Sequence, residues 1–230
     1  MWALTFSAYV FAYRREPERL LERVGEADGL AREQGLAFIY EVSVPQARGL
    51  AELLSGRPRE AISLLRMGIE RWTKNGGNVR VPFAKSALAE AVALEGDPDG
   101  ALKLIEECLE QIGRPAGQER LWLAEVLRLK GAILLRQGRV EEAEKELRAA
   151  LACAREQQAK SWELRSATLL ATLLAGGGQR AAARDLLAPI HGWFTEGADT
   201  RDLIEARVLL EELSREPRPR SAPAAVPAGP

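Results

Sequence analysis

Apolar residues recur along the chain at helical spacing, in segments that glycine turns separate. Within these segments one spacing occurs four times: a small residue, a Gly seven positions later, an Ala five further on, and a Leu or Ile four beyond that. The copies are Gly49–Gly56–Ala61–Leu65, Ala89–Gly96–Ala101–Ile105, Gly131–Gly138–Ala143–Leu147 and Ala171–Gly178–Ala183–Leu187. The turn glycines are 40, 42 and 40 residues apart. Such a period predicts an all-α solenoid of stacked antiparallel helix pairs.

Each copy predicts two helices joined by a turn at the Gly. The second copy has the clearest signal, because Gly96-Asp97-Pro98 combines a helix stop, an N-cap acceptor and a proline for the first helical position. The small residue and the Ala let the paired helices approach closely, and the Leu or Ile fills the space between them.

The same pattern extends to both ends of the chain. Trp2–Tyr13 and about Pro17–Glu33 predict one further pair before the first copy, and Asp199 or Thr200 is expected to cap a last helix that shields the open end. In that last helix Leu203, Ile204, Val208, Leu209 and Leu210 are expected on one side, and Asp202, Arg207, Glu211 and Glu212 on the other. The predicted repeat domain is 1–214, with pairs at about 1–35, 36–75, 78–113, 118–158 and 160–195 and a cap at 199–214. Residues 215–230 are rich in Pro and Ala and are expected to be disordered.

Composition narrows the classes of function. The 32 basic and 33 acidic residues give a net charge of −1, which argues against a nucleic-acid partner. The apolar run Trp2–Tyr13 is shorter than the roughly twenty residues that span a bilayer, so no membrane partner is expected. Two isolated cysteines and no signal peptide favour a cytoplasmic location. Cys108 falls in a small-residue position of the repeat and is expected to be buried.

The sequence contains no recognisable catalytic, cofactor or metal site. His191 is the only histidine, and no Ser/His/Asp arrangement can be assembled around it. Adjacent acidic pairs such as Glu141-Glu142 point to different sides of a helix and are expected to be solvated. Trp122 and Trp162 precede the small residue of their copies by nine positions, which favours packing, with ligand stacking as the alternative.

The motif G-x₆-G-x₄-A-x₃-L resembles the tetratricopeptide repeat, although the period of about 40 exceeds the usual 34 residues. Three segments, LWLAEVLRLKG, QAKSWELRSA and ARDLLAPIHGWFTEGADTRD, resemble the C-terminal repeat tail of bacterial adenylate/guanylate cyclase–P-loop ATPase signalling proteins. This resemblance extends from about Arg15 to Leu213. It departs at Leu127, where the family often has a histidine. The cyclase and ATPase motifs are absent, so the resemblance implies a detached or truncated tail.

The resemblance to tetratricopeptide solenoids implies that the first helix of each pair lines a concave groove. Inward positions then lie six and three residues before the small residue and one and four after it. The polar side chains at these positions are Ser43, Gln46, Ser86, Glu90, Glu125, Arg128, Arg165, Thr168 and Thr172. Arg128 and Arg165 can clamp a carboxylate-bearing peptide there. The alternative is that both are groove-wall residues paired with carboxylates such as Glu125.

These observations predict a non-enzymatic scaffold that binds a protein or peptide partner and needs no cofactor. Two alternatives stay open: a part of a cyclase whose catalytic domain lies elsewhere, and a ligand-sensing solenoid. Self-association is a further expectation, because the first predicted helix has a broad apolar face. That face consists of Trp2, Leu4, Phe6, Val10 and Phe11.

Overall fold

The structure is a computed structural model, and it describes residues 2–77, 80–114 and 120–215, without the side chain of Trp2. This part of the chain contains eleven α-helices and no β-strand. The helices are α1 (Trp2–Tyr13), α2 (Pro17–Glu33), α3 (Val44–Leu54), α4 (Pro58–Lys74), α5 (Val81–Leu94), α6 (Pro98–Gly113), α7 (Leu123–Arg136), α8 (Val140–Glu156), α9 (Lys160–Gly176), α10 (Arg180–His191) and α11 (Arg201–Ser214). A π-helical turn, Ile39–Ser43, precedes α3, and a 3₁₀ turn, Arg120–Trp122, precedes α7.

The helices form a stack of antiparallel pairs. Each helix packs against the next one in the chain, and the odd-numbered helices also pack against one another in sequence. The odd-numbered helices therefore form one continuous layer. The predicted all-α solenoid is confirmed, with α11 packed on α9 and α10 at its C-terminal end.

The repeated spacing corresponds to real packing positions. Ala61, Ala101, Ala143 and Ala183 are fully buried, as are Leu65, Ile105, Leu147 and Leu187. A Cβ atom placed on Gly131 would lie 2.7 Å from Cγ of Leu147, and one on Gly49 would lie 2.8 Å from Cγ of Leu65. In these two copies the large residue therefore occupies the space that the glycine leaves open. The turn glycines Gly56, Gly96, Gly138 and Gly178 all have φ between +73° and +94°, which only Gly adopts without strain.

The two predicted helix caps differ in outcome. Oδ1 of Asp97 accepts a hydrogen bond from the backbone N–H of Gly100 at 2.8 Å, so this N-cap is confirmed. Thr200 occupies the N-cap position of α11, but its hydroxyl donates to the carbonyl oxygen of Gly197 at 2.7 Å. The side chain stabilises the preceding turn and makes no capping bond to the helix. The predicted disorder of 215–230 concerns residues that, apart from Arg215, lie outside the described part.

Overpacking the contact between paired helices should destabilise the protein. In an Ala143→Leu variant the added side chain must displace Leu147 or separate α7 from α8, because Ala143 has no exposed surface. We expect a loss of about 2 kcal/mol in the free energy of unfolding. Chemical denaturation followed by circular dichroism measures this loss. A variant as stable as the wild type would show that the repeat register is wrong.

Cys108 is fully buried in α6, as predicted, and burial raises the pKa of its thiol to about 12. Since the thiolate is the reactive form, we expect iodoacetamide at pH 8 to alkylate Cys108 about a thousandfold more slowly in the native protein than in urea. The measurement uses a Cys153→Ser variant and mass spectrometry. Equal rates in the two conditions would contradict the burial of this residue.

The apolar residues that were predicted to form an exposed face on α1 differ in their exposure. Phe6 and Val10 are 54% and 51% exposed, whereas Tyr9 is buried. Phe11 is half-buried, with the guanidinium of Arg19 lying 4.4 Å from the centre of its ring. No helix among the described residues has the length and apolar character needed to cross a membrane.

Candidate functional site: the central cavity

A large cavity, partly open to solvent, is bounded by the odd-numbered helices. Its volume is about 760 Å³, and residues from α1, α3, α5, α7, α9 and α11, together with the turns at Arg15 and Gly56, line it. We call it the central cavity. Its apolar lining includes Leu50, Leu53, Leu54, Leu94, Leu129, Leu169, Ile204, Val208 and Leu209. Its charged lining consists of Arg15, Glu90, Glu125, Arg128, Arg165, Arg201, Asp202, Glu205 and Glu212.

The C-terminal end of α1 meets the N-terminal ends of α5, α7 and α9 at an aromatic cluster. The ring of Tyr13 lies 5.3 Å from that of Phe83, 5.5 Å from Trp122 and 6.4 Å from Trp162, measured between centroids. Both tryptophans are buried, at 6% and 8% exposure. The packing interpretation of Trp122 and Trp162 is confirmed: Tyr13 is the aromatic partner that they share, and Trp122 also packs on Phe83 at 4.8 Å.

Ion pairs beside this cluster join distant parts of the chain. Nη1 of Arg15 donates to Asp202 at 2.9 Å and to Glu205 at 2.6 Å, which connects the α1–α2 turn to α11. Nε of Arg165 donates to Asp202 at 2.7 Å, and its Nη2 donates to the carbonyl oxygen of Tyr13. The side chains of Arg165 and Asp202 are only 11% and 12% exposed. We call this set of contacts the terminal latch.

The network continues onto α7. Arg128 donates two hydrogen bonds to the carboxylate of Glu125, at 2.7 and 2.8 Å, and Nη1 of Arg165 lies 3.6 Å from the same carboxylate. Burial disfavours the charged form of Arg128, but Coulomb attraction and hydrogen bonding to Glu125 outweigh it and raise the pKa of the guanidinium. Arg128 therefore stays charged, and both arginines are engaged with carboxylates of this chain.

Most of the residues that were predicted from the sequence to line a groove do line the central cavity. Ser86, Glu90, Glu125, Arg128, Arg165, Thr168 and Thr172 all line it. Gln46 does not: it is 3% exposed, and its Oε1 accepts a hydrogen bond from the Tyr9 hydroxyl at 3.3 Å. Ser43 is buried in the same region, beside Thr5 and Ala47. The reason is that α1 packs on α3 and covers this part of the layer.

Sequence reasoning missed the contribution of α11 to the cavity. Asp202 and Glu212 were expected on the side of this helix opposite Ile204, Val208 and Leu209, whereas all five line the cavity. The inward spacing used for the other repeats, applied around Val208, yields Asp202, Glu205, Leu209 and Glu212, and all four line the cavity. The pattern was therefore present in the sequence, but Val208 is not a small residue, and Arg215 rather than a Gly stands seven positions after it. Ile204 and Val208 line the cavity and are 37% and 44% exposed.

Comparison with known proteins supports the fold. Residues 80–156, which span α5 to α8, match the family model described as tetratricopeptide repeat. Two crystal structures of nearly identical TPR-like repeats, from a protein described as a Podosopora anserina kinesin light chain, resemble this chain at 16% identity. One of them, a single-substitution variant, has a TM-score of 0.52 and covers 83% of this chain and 92% of its own. The other has a TM-score of 0.50, with 93% and 96% covered.

The fold is a tetratricopeptide-like α-solenoid. At such low identity the structural likeness concerns the fold alone. A search of curated protein sequences finds no match to this chain. No comparison connects the chain with a cyclase or an ATPase. Within the described residues no group of three or more His, Cys, Asp or Glu side chains is placed to hold a metal ion.

Proposed function

We propose that this protein is an interaction module that binds an apolar segment of a partner protein in the central cavity. Tetratricopeptide repeats generally mediate protein–protein contacts, which supports the class of function. The observation that carries the proposal is the exposure of large apolar side chains inside the cavity. Leu94, Ile204 and Val208 are 40%, 37% and 44% exposed there. Covering them with apolar groups of a partner supplies a hydrophobic driving force for binding.

A peptide-binding experiment tests this role. Peptides are selected from a random 12-residue phage library on the wild-type protein, and their affinities are measured by fluorescence anisotropy. In a Val208→Arg variant we expect at least a tenfold loss of affinity, because the guanidinium enters the apolar wall of the cavity. Val140→Arg is the matched control, since Val140 is 49% exposed and does not line the cavity. Equal binding by Val208→Arg and the wild type, with both folded by circular dichroism, would refute the proposal.

The volume of the cavity supports a second candidate, a ligand-sensing role. About 760 Å³ falls within the range of small-molecule sites in proteins. A thermal-shift screen distinguishes the two roles, since a ligand that binds only the native state raises the melting temperature. A small molecule whose shift disappears in Val208→Arg would favour this second candidate.

We also propose that the chain acts without catalysis, in the cytoplasm, as a repeat tail of a cyclase–ATPase signalling system. The segment LWLAEVLRLKG and its two companions support the signalling origin. The engagement of the cavity arginines in intramolecular ion pairs supports the non-catalytic role. Purified protein is expected to form no cAMP from ATP, and measurable turnover would refute that assignment.

Self-association through Phe6 and Val10 of α1 stays a prediction, which light scattering coupled to size-exclusion chromatography tests.

A further inference from the structure

We propose that the central cavity selects a partner segment in which a basic residue stands between apolar residues. This inference rests on the proposed function and names the chemistry of its ligand. It differs from the carboxylate clamp that the sequence suggested for Arg128 and Arg165. The difference arises from which polar groups of the cavity are already engaged and which are available to a ligand.

The basic groups that line the cavity are all engaged, including the two clamp candidates and Arg201, which donates to Glu205 at 3.0 Å. Arg128 holds Glu125 in a two-point contact, Arg165 holds Asp202, and Arg15 holds both Asp202 and Glu205. A ligand carboxylate would have to replace a carboxylate that is fixed 2.6–2.9 Å from its arginine in the same chain. Such an exchange leaves the displaced carboxylate without its partner, which is costly where both groups are largely buried.

The hydroxyl groups of the cavity present acceptors to a ligand. Ser86 donates its proton to the carbonyl oxygen of Phe83 at 2.9 Å, Thr168 to Leu164 at 2.8 Å, and Thr172 to Thr168 at 2.9 Å. A hydroxyl has one proton to donate, so only oxygen lone pairs remain for a ligand. Ser86 is only 1% exposed, so Thr168 and Thr172 are the hydroxyls that can recognise hydrogen-bond donors of a ligand.

Glu90 supplies the charge that completes this preference. Its carboxylate lines the cavity, and among the described residues it has no hydrogen-bond or ion-pair partner. It acts on Arg128 only through Coulomb attraction. Glu90 and Leu94 are four residues apart on α5, so the anion and the apolar group lie one turn apart on the same face, along the cavity. An ammonium or guanidinium group held at Glu90 would be flanked by apolar contacts at Leu94.

The same peptide selection tests this chemistry. We expect the selected sequences to be enriched in Lys or Arg flanked by apolar residues. Glu90→Gln should weaken their binding about tenfold, since a charged hydrogen bond is lost. A peptide in which norleucine replaces the basic residue should bind wild type and Glu90→Gln equally. Glu211→Gln, an exposed acidic position outside the cavity on α11, is the control for a general charge effect.

The possible results separate the two proposals. Peptides that lose binding in Val208→Arg but contain acidic residues, or are indifferent to Glu90→Gln, would overturn the basic-residue preference and leave the interaction role intact. Peptides indifferent to Val208→Arg would overturn the interaction role, and this inference with it. Peptides that depend on both Val208 and Glu90 would support both.

Discussion

Replacing Asp202 with alanine should lower the free energy of unfolding by about 3 kcal/mol. Asp202 is the carboxylate on which the terminal latch converges, because Arg15 and Arg165 both donate to it. Its removal leaves Arg165, which is 11% exposed, with Glu125 at 3.6 Å as its remaining carboxylate contact. When a buried guanidinium loses its counter-ion, nothing offsets the free-energy cost of removing its charge from water. Urea denaturation at low and high salt measures the effect, which salt should reduce only slightly.

Glu205→Ala is the matched control for Asp202→Ala. Glu205 also accepts from Arg15, at 2.6 Å, and lies one turn further along α11, but its side chain is 44% exposed. Exposed ion pairs contribute little, so we expect a loss of about 0.5 kcal/mol. Equal losses for the two variants would show that burial is not the reason for the larger contribution of Asp202 to the free energy of unfolding. An unchanged Asp202→Ala would show that the latch does not stabilise the fold.

Gly68→Val should destabilise the protein by about 3 kcal/mol, because α4 touches the backbone of α3 at this position. A Cβ atom on Gly68 would lie 3.0 Å from the backbone N of Gln46 and closer still to its Cγ. Gln46 has little room to withdraw, since it is 3% exposed and bonded to Tyr9. The two helices must therefore separate. Thermal and urea denaturation measure the loss.

Gly25→Val provides the comparison for Gly68→Val, since both glycines lie inside helices. Apart from Gly25 itself, its chain neighbours and the adjacent backbone of α2, no atom lies within 4 Å of a Cβ placed on Gly25. Valine is a slightly better helix former than glycine, so the free energy of unfolding should change by less than about 0.5 kcal/mol. If both variants lost the same stability, the cause would be valine in a helix rather than the contact with Gln46.

Local signals in the sequence were sufficient for the helices and their pairing. Gly96-Asp97-Pro98 places a turn, a cap and a helix start in three residues, and the structure reproduces each of them. The spacing from Gly131 to Leu147 predicts a contact that the structure contains. These features depend on residues close in sequence, whose geometry follows from helix periodicity and turn chemistry.

The partners of the residues that line the cavity depend on contacts between repeats that are distant in sequence. The residue spacing within one repeat does not determine such contacts. Arg165 was identified as an inward residue, but its partners Tyr13 and Asp202 lie in the first and last helical units. Which odd-numbered helices meet across the cavity depends on the small rotation between successive repeats, summed over the stack. Gln46 has the periodic position of a groove residue, but α1 packs on α3 and covers it.

The terminal latch makes the first and last helical units neighbours in space. In an open repeat array each unit contacts only the next, so the units can unravel one after another from either end. Here the α1–α2 turn is tied to α11 across 187 residues of sequence, through Arg15 and Asp202. Loss of an end helix therefore breaks contacts at both ends at once. We therefore expect the array to unfold in an all-or-none manner, as a globular domain does. Its assembly is expected to include one closing step that the loop entropy of a long-range contact opposes.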